Sequence, residues 1–385
     1  MLKAILSQTN CIMLSYWEQA HRNQPFDVIV IGSGITGSSA AINLKKQSPK
    51  LRVAIVEAEK LFMTTASTKN AGFACFGSLS ELLEDEALLG TDAMLDLVKR
   101  RWKGLNTLKS LIPVAAMDFI PCGGHEVFED QELFQKCWAE RERMNALLLP
   151  IIGPEVFSEK ENPQDFGFKG FHTSIGNSYE SQLDPAKMMD AFHSKLRAMD
   201  VPIYMASRVE RIEEEKESVK LHLDEGILYA RHVLVATNGL SKKLLDLDVR
   251  ATRAQVLITE PIPDLKWKGV FHLDLGYTYF RNVGNRILLG GRRNLDIEAE
   301  YTDEMTVSPV IQESLETLLR EKILPNSNIS IAQRWVGIMG TGSARNPILQ
   351  SCSERIHCAV RLGGMGVAIG SSLGADAASL ILSRI

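Results

Sequence analysis

The most constraining stretch of this chain lies near its start, where a β-branched run, Asp27-Val28-Ile29-Val30-Ile31, ends directly in Gly32-Ser33-Gly34-Ile35-Thr36-Gly37. A short unbroken apolar run of that kind reads as a strand buried on both faces, as in a parallel sheet. Ile35, Ala40, Ala41 and Leu44 then recur roughly one helical turn apart, and Val53-Ala54-Ile55-Val56 supplies a second strand, completing a βαβ unit. Each glycine serves a distinct physical purpose. Gly32 makes the tight turn, Gly34 lets backbone approach a pyrophosphate, and Gly37 allows close helix–strand packing. Ala41 keeps the same seam narrow. The helix N-terminus offers unpaired N–H groups and partial positive charge to phosphates. Glu57 closes the second strand twenty residues beyond Gly37, where a carboxylate accepts from ribose hydroxyls and repels a 2′-phosphate. Strand, glycines, helix, strand and acid together specify a dinucleotide site and disfavour NADP.

Beyond this unit the pattern changes twice. Leu88, Leu95, Val98, Trp102, Leu105, Leu108 and Ile112 predict one long amphipathic helix over 85–112, stopped by Pro113. A second helix is expected over 131–149, and Asp184-Pro185 opens a third. From 201 the chain alternates as strands, including Val209–Ile212, Val219–Leu223, Val233–Ala236, Gln255–Glu260, Tyr277–Arg281 and Arg286–Leu289, with a hairpin turn at Asn282–Asn285. A Gly/Ala/Ser-rich helix is expected over 366–383. Parallel-sheet signals at both ends and antiparallel signals between them predict an α/β chain with a discontinuous Rossmann-like domain (25–85, 180–248 and 330–385). An α+β substrate domain with a mostly antiparallel sheet takes 86–179 and 249–329, after an N-terminal extension, 1–24.

Bulk properties narrow the class. A chain of 385 residues is long for one core, and 43 basic against 47 acidic residues give a net charge of −4, with no basic stripe for nucleic acid. Six cysteines carry no Cys-x-x-Cys pair and eight histidines no metal-type spacing, so reduced thiols in a cytoplasmic protein without a metal site are expected. No apolar run reaches the roughly 18 residues of a transmembrane segment.

Further motifs stand along the chain: Ser15-Tyr16-Trp17, Ala66-Ser67-Thr68-Lys69-Asn70-Ala71-Gly72, Leu183-Asp184-Pro185, Ala236-Thr237-Asn238, Gly290-Gly291-Arg292, and Gly363-Gly364-Met365-Gly366-Val367-Ala368. In this order the chain resembles the D-amino-acid-oxidase-like flavoproteins, glycine and sarcosine oxidases among them, and most the gamma-glutamylputrescine oxidase-like branch. The resemblance implies FAD. It assigns cofactor contacts to Gly32, Gly34, Ile35, Thr36, Gly37, Glu57 and Ala58, and to the segment 64–72 through Thr65, Ala66, Ser67, Lys69, Asn70, Ala71 and Gly72. It adds Val209 (equally readable as core), Ala236, Thr237, Gly337, Gly364, Met365, Gly366 and Val367. The glycine turn before the last helix either packs tightly or brings a helix N-terminus to the negative charge of a reduced flavin.

The resemblance also implies that Tyr279 and Arg281 face the flavin, and that Trp335-Val336-Gly337-Ile338-Met339-Gly340 lines its ring. Glycine-oxidase-like relatives carry an arginine there that clamps the substrate carboxylate; the matching position is Met339, which forms no bidentate pair. Tyr279, Arg281 and Met339 are therefore the substrate-pocket candidates, and an amine gains weight over a plain α-amino acid. Sarcosine oxidases attach flavin to a cysteine near this segment; none lies beside Met339, and Cys75 reads as a buried structural thiol, so non-covalent FAD is expected. Three readings stay open: an oxidase giving an imine and using oxygen, a dehydrogenase with a quinone or protein as electron acceptor, and a flavin-binding protein without turnover.

Overall fold

The β-branched run forms β1 (Phe26–Ile31), followed by helix α1 (Ile35–Gln47), β2 (Val53–Val56), a single helical turn α2 (Ala66–Lys69) and the short β3 (Phe73–Ala74). Helices α3 (Leu79–Leu89) and α4 (Thr91–Leu111) lead to β4 (Gly124–Phe128), α5 (Gln131–Leu148), β5 (Phe157–Glu159), β6 (Thr173–Asn177) and β7 (Ser181–Gln182). Helix α6 (Pro185–Ala198) precedes β8 (Ile203–Tyr204), β9 (Val209–Glu214), β10 (Val219–Leu223) and β11 (Gly226–Val235). Then come β12 (Arg250–Thr259), β13 (Val270–Leu273), β14 (Thr278–Val283), β15 (Arg286–Gly291), α7 (Ile297–Glu300) and α8 (Pro309–Leu318). The chain closes with β16 (Ile331–Thr341), β17 (Ile348–Ser351), β18 (Ile356–Val360) and α9 (Gly366–Leu382). This computed structural model describes residues 15–17, 24–60, 65–159, 162–224, 226–265, 267–325 and 327–385.

Two large sheets organise these elements. The first has the order β17-β18-β11-β1-β2-β8, with β9 and β10 attached through β11. β1 runs parallel to both neighbours, Val30 pairing with Leu234 on one side and Ile55 on the other. Flanked on both sides, Val28, Ile29, Val30 and Ile31 are buried between two apolar layers, one built with α1, α4, α6 and α9 and one beneath β9 and β10. The second sheet, β16-β12-β15-β14-β13-β4-β6-β5, is antiparallel except where β13 meets β4. Its outer face packs Phe271, Phe280 and Leu289 against Ile311 and Leu315 of α8. Its inner face meets β3 and the 65–72 segment.

Three differences from the sequence reading have local causes. The helix expected over 85–112 is two helices, because Gly90, at φ 85°, turns the chain between α3 and α4. Helix α4 also packs with the first sheet's helices and not wholly with the second unit: a Cβ on Gly104 would lie 1.8 Å from the Ala368 carbonyl of α9. Conversely β16, expected with the dinucleotide unit, pairs with β12 in the second sheet, Met339 opposite Thr252. Tyr16 and Trp17 are exposed and touch each other edge-on. Thr64 and most of 1–24, Cys11 included, lie outside the described residues. Cys75, Cys122, Cys137, Cys352 and Cys358 are free thiols, and among the described residues no helix is long and apolar enough to cross a membrane.

Candidate active site

The site begins where β1 turns into α1. Gly32, at φ 104°, leaves room for the Ala236 carbonyl, which a Cβ would approach to 2.9 Å, with the Thr237 methyl just beyond. Gly37 sits so close under the turn that a Cβ would stand 2.0 Å from the Gly32 carbonyl oxygen. Neither position accepts a side chain without moving backbone. Glu57, at the end of β2 and 7% exposed, accepts from the Ser33 amide and hydroxyl, both at 2.9 Å, and from the Glu59 amide at 3.1 Å. Ala58, beside it, is half-buried. The amides of Ser207 and Ala206 donate to the carbonyls of Glu57 and Glu59, which brings Val209, at the start of β9, near this end. His193 on α6 holds the same turn, its Nε2 lying 3.0 Å from the Ser33 carbonyl.

A second helix start converges on the first. Gly363 and Gly364, at φ 58° and 86°, lead through Met365 into α9 at Gly366. Along the seam with α1, a Cβ on Gly370 would fall 2.9 Å from Ile35, and Ser39 Oγ donates to the Ser371 carbonyl at 2.6 Å. Neither α1 nor α9 has a cap from its own N-cap side chain or an acidic residue in its first turn, so both present N–H groups and positive dipole ends, with the first amide of α1 met by Ser67. Val367 is buried just inside α9, and the Met339 sulfur lies 3.2 Å from where a Gly364 Cβ would be. Asn238, next to Thr237, ties this end to β11 by accepting from the Leu362 amide at 3.1 Å.

The 65–72 segment bridges the two ends. Ser67 Oγ accepts from the Ile35 amide at 3.0 Å, which places a hydroxyl oxygen at the first helix's N-terminus. The Thr65 carbonyl accepts from Thr68, while Ala66 is exposed. Asn70 folds its amide back to the Ser67 carbonyl and accepts from Gly72, fixing the loop. The Lys69 carbonyl accepts from Trp335 Nε1 at 2.9 Å, and Gly337, two residues along β16, faces Lys69 with room for no more than a methyl group. Three hydroxyls on or beside this path, those of Thr36, Thr65 and Thr237, are buried and have no partner. Buried polar atoms are normally satisfied. Uncapped helix ends, orphaned hydroxyls and a close backbone approach are what an extended, phosphate-bearing dinucleotide requires.

On the opposite wall, Tyr279 of β14, Phe73, Trp335, Ala71, Val256 and Leu288 form one apolar cluster. Gly290 lets the Tyr279 ring lie flat against β15, since a Cβ would meet it at 2.7 Å. Burial pushes the Tyr279 hydroxyl up to about 12, against the opposing pull of Arg293's positive charge. Arg281, expected in the pocket, is 6% exposed and turned under the loop. Its Nε donates to the Ala71 carbonyl at 2.5 Å, and its terminal nitrogens donate to Gln182 Oε1 at 3.0 Å and the Leu183 carbonyl at 3.1 Å. The guanidinium therefore staples the loop and β7 to β14, and burial draws its pKa down to about 10. Sequence reasoning missed Arg293, which follows the Gly290-Gly291-Arg292 motif and stacks over Tyr277 at 4.8 Å. It also missed His193, whose contact is long-range and leaves no local signal, and gave Asn238 only as part of the Ala236-Thr237-Asn238 motif.

Known proteins share this chain's fold. Residues 27–380 match the family model described as "DAO: FAD dependent oxidoreductase". The probable oxidoreductase OrdL of Rhizobium meliloti (strain 1021) is 22% identical over 93% of this chain and 83% of its own length. The bifunctional protein ThiO/ThiG of Synechocystis is 25% identical over 60% of this chain, which spans only 32% of that protein. In fold, the chain is similar to iminodiacetate oxidase from Chelativorans sp. BNC1 (TM-score 0.74, 16% identity, 92% and 95% of the two chains covered). It is also similar to L-proline dehydrogenase from P. horikoshii (TM-score 0.72, 17% identity, 93% and 94% covered). With nearly its whole length matched, the chain belongs to the DAO family of FAD-dependent oxidoreductases, and FAD is its cofactor.

Proposed function

We propose that this protein oxidises a small amine or amino-acid-like substrate at the carbon beside its nitrogen, with a preference for substrates that lack a carboxylate on that carbon. FAD bound along the cradle would take up the hydride that leaves the substrate, and the resulting imine would hydrolyse in water. In this reading Glu57 would receive the adenosine ribose once Ser33 yields its carboxylate, and the amides from Gly34 to Gly37 would meet the pyrophosphate once Ser67 releases the Ile35 amide. The 67–72 segment, Gly337 and the start of α9 would hold the ring, and the dipole of α9 would stabilise negative charge there.

What this chain's residues do is bind, orient and keep water out. The Tyr279–Phe73–Trp335 wall supplies a dry apolar surface beside the loop. Held as a neutral hydroxyl up to about 12, Tyr279 orients substrate through a hydrogen bond and is no base near neutral pH. The observation that carries the substrate preference is the pairing of Met339 beside Gly364 with an Arg281 already committed to three acceptors. A carboxylate held there would be desolvated without a bidentate partner, which costs several kcal/mol. The similarity to an iminodiacetate oxidase and a proline dehydrogenase supports chemistry at a carbon–nitrogen bond.

The test is Met339→Arg. Restoring a guanidinium beside the glycine turn should raise the preference for an amino acid over its decarboxylated amine by at least tenfold, equivalent to about 1.4 kcal/mol. A wild-type enzyme that already prefers the amino acid strongly, with no change in the variant, would refute the reading. Whether oxygen or another acceptor reoxidises the flavin follows from oxygen consumption in the same assay.

A further inference from the structure

Beneath Phe73 lies a buried polar cluster that the proposed reaction does not use. Cys75 just after β3, Glu180 in the turn before β7, and His272 of β13 bring a thiol sulfur, a carboxylate oxygen and a ring nitrogen within 4.8 Å of one another, all three residues buried. His272 Nε2 and Glu180 Oε2 are 2.8 Å apart, and Asn177 donates to the other Glu180 oxygen at 3.3 Å. The fold makes room for this carboxylate, since a Cβ on Gly124 would fall 2.0 Å from Glu180 Oε2.

The surroundings carry excess negative charge. Glu126, buried on the neighbouring strand β4, accepts from Ser78 Oγ at 3.0 Å, from the Ser80 amide at 3.1 Å and from Ser80 Oγ. Among the described residues no lysine or arginine pairs with it. Glu81, also near, pairs with Arg101, and Asp85 pairs with both Arg101 and Arg345. A buried carboxylate such as Glu126, met by hydroxyls and an amide and by no cation, is costly.

We propose that Cys75, Glu180 and His272 form a binding site for one zinc ion. One sulfur, one nitrogen and one oxygen donor suit zinc, with bonds of about 2.3, 2.0–2.1 and 2.0–2.2 Å, while a thiolate disfavours magnesium and calcium. Seating the ion requires the Cys75 proton and the proton between His272 and Glu180 to leave as Zn²⁺ enters. It also widens the 2.8 Å gap of that pair to about 3.3 Å, the spacing of two ligands on a tetrahedral ion. The ion would tie the strand leaving the 65–72 loop to the second sheet. His272 packs edge-on against Phe73 at 5.2 Å and Phe73 against Tyr279 at 5.3 Å, so the ion would brace the substrate wall without touching substrate.

The experiment is metal analysis of the purified holoenzyme, then zinc depletion with dipicolinate and retitration with Zn²⁺ against a chromogenic chelator. One zinc per chain is expected, with an affinity that falls by about 100-fold or more in Cys75→Ser and in Glu180→Gln, since loss of a ligand should exceed the effect of losing an outer-shell partner. Cys122→Ser should bind like wild type. Wild-type affinity no higher than that of Cys75→Ser would overturn the site. Should the variants fold poorly, Co²⁺ added to zinc-depleted wild type decides: a thiolate-to-cobalt charge-transfer band in the difference spectrum supports the site, and its absence overturns it.

Discussion

Arg281→Met separates a structural staple from a substrate clamp. The guanidinium makes three hydrogen bonds under the loop, to Ala71, Gln182 and Leu183, and its removal leaves two buried carbonyls and one side-chain oxygen unpaired. Charge-assisted bonds of this kind contribute about 1.5–3 kcal/mol each, so the gross loss is about 4.5–9 kcal/mol. Burial works the other way: the drop in its pKa to about 10 marks a penalty of about 3 kcal/mol on the charged form, which the variant no longer carries. The net loss is about 1.5–6 kcal/mol, and it falls on the loop that meets the first helix. The urea midpoint, read by tryptophan and flavin fluorescence, should shift downward in both signals. The ratio of activity on an amino acid to activity on its amine should stay fixed. Unchanged stability together with a collapsed amino-acid preference would refute the reasoning and return Arg281 to the pocket.

Three further outcomes follow from the geometry. Glu57→Gln should weaken FAD by about 1–2 kcal/mol, while Glu57→Arg should abolish retention; dissociation constants from flavin fluorescence that are unchanged in both would remove Glu57 from the site. His357, buried against His232 at 3.2 Å, has its pKa lowered to about 4 by burial and then by its neighbour's charge. The unfolded chain takes up this proton near pH 6.5 and the folded one only near 4, so stability is full at neutral pH and declines between these values, by about 2–3 kcal/mol; equal urea midpoints at pH 7 and 4.5 would contradict this. Tyr279 has the opposite slope, with stability lost as pH rises from about 10 to about 12, and Tyr279→Phe should flatten that alkaline limb in the same titration.

How much of this was legible in the sequence depends on how local each signal is. The βαβ unit was readable because Gly32, Gly34, Gly37 and Glu57 act within one short span. The break at Gly90 was masked because Leu88 and Leu95 keep a helical spacing across it. Strands β4, β6 and β13 were missed because His125, Glu126, Asn177 and His272 interrupt the apolar alternation: Glu126 is buried on Ser78 and Ser80, His272 on Glu180, His125 stacks on Phe271, and Asn177 donates to nearby Glu180. Arg281 was readable as a strand residue, but where its guanidinium goes depends on β3 and β7, about a hundred residues or more earlier. His272 and Glu180, 92 positions apart, could be joined only by the fold.

The central claim is tested most directly by anaerobic stopped-flow reduction of the wild-type enzyme with matched pairs, each an amino acid and the amine that its decarboxylation gives. The Met339 and Arg281 geometry requires the amine of at least one pair to bleach the flavin faster, by tenfold or more, with the rate saturating in substrate. Bleaching by the amino acid of every pair and by none of the amines would contradict the account, and no bleaching by any member would leave a flavin-binding protein without this chemistry.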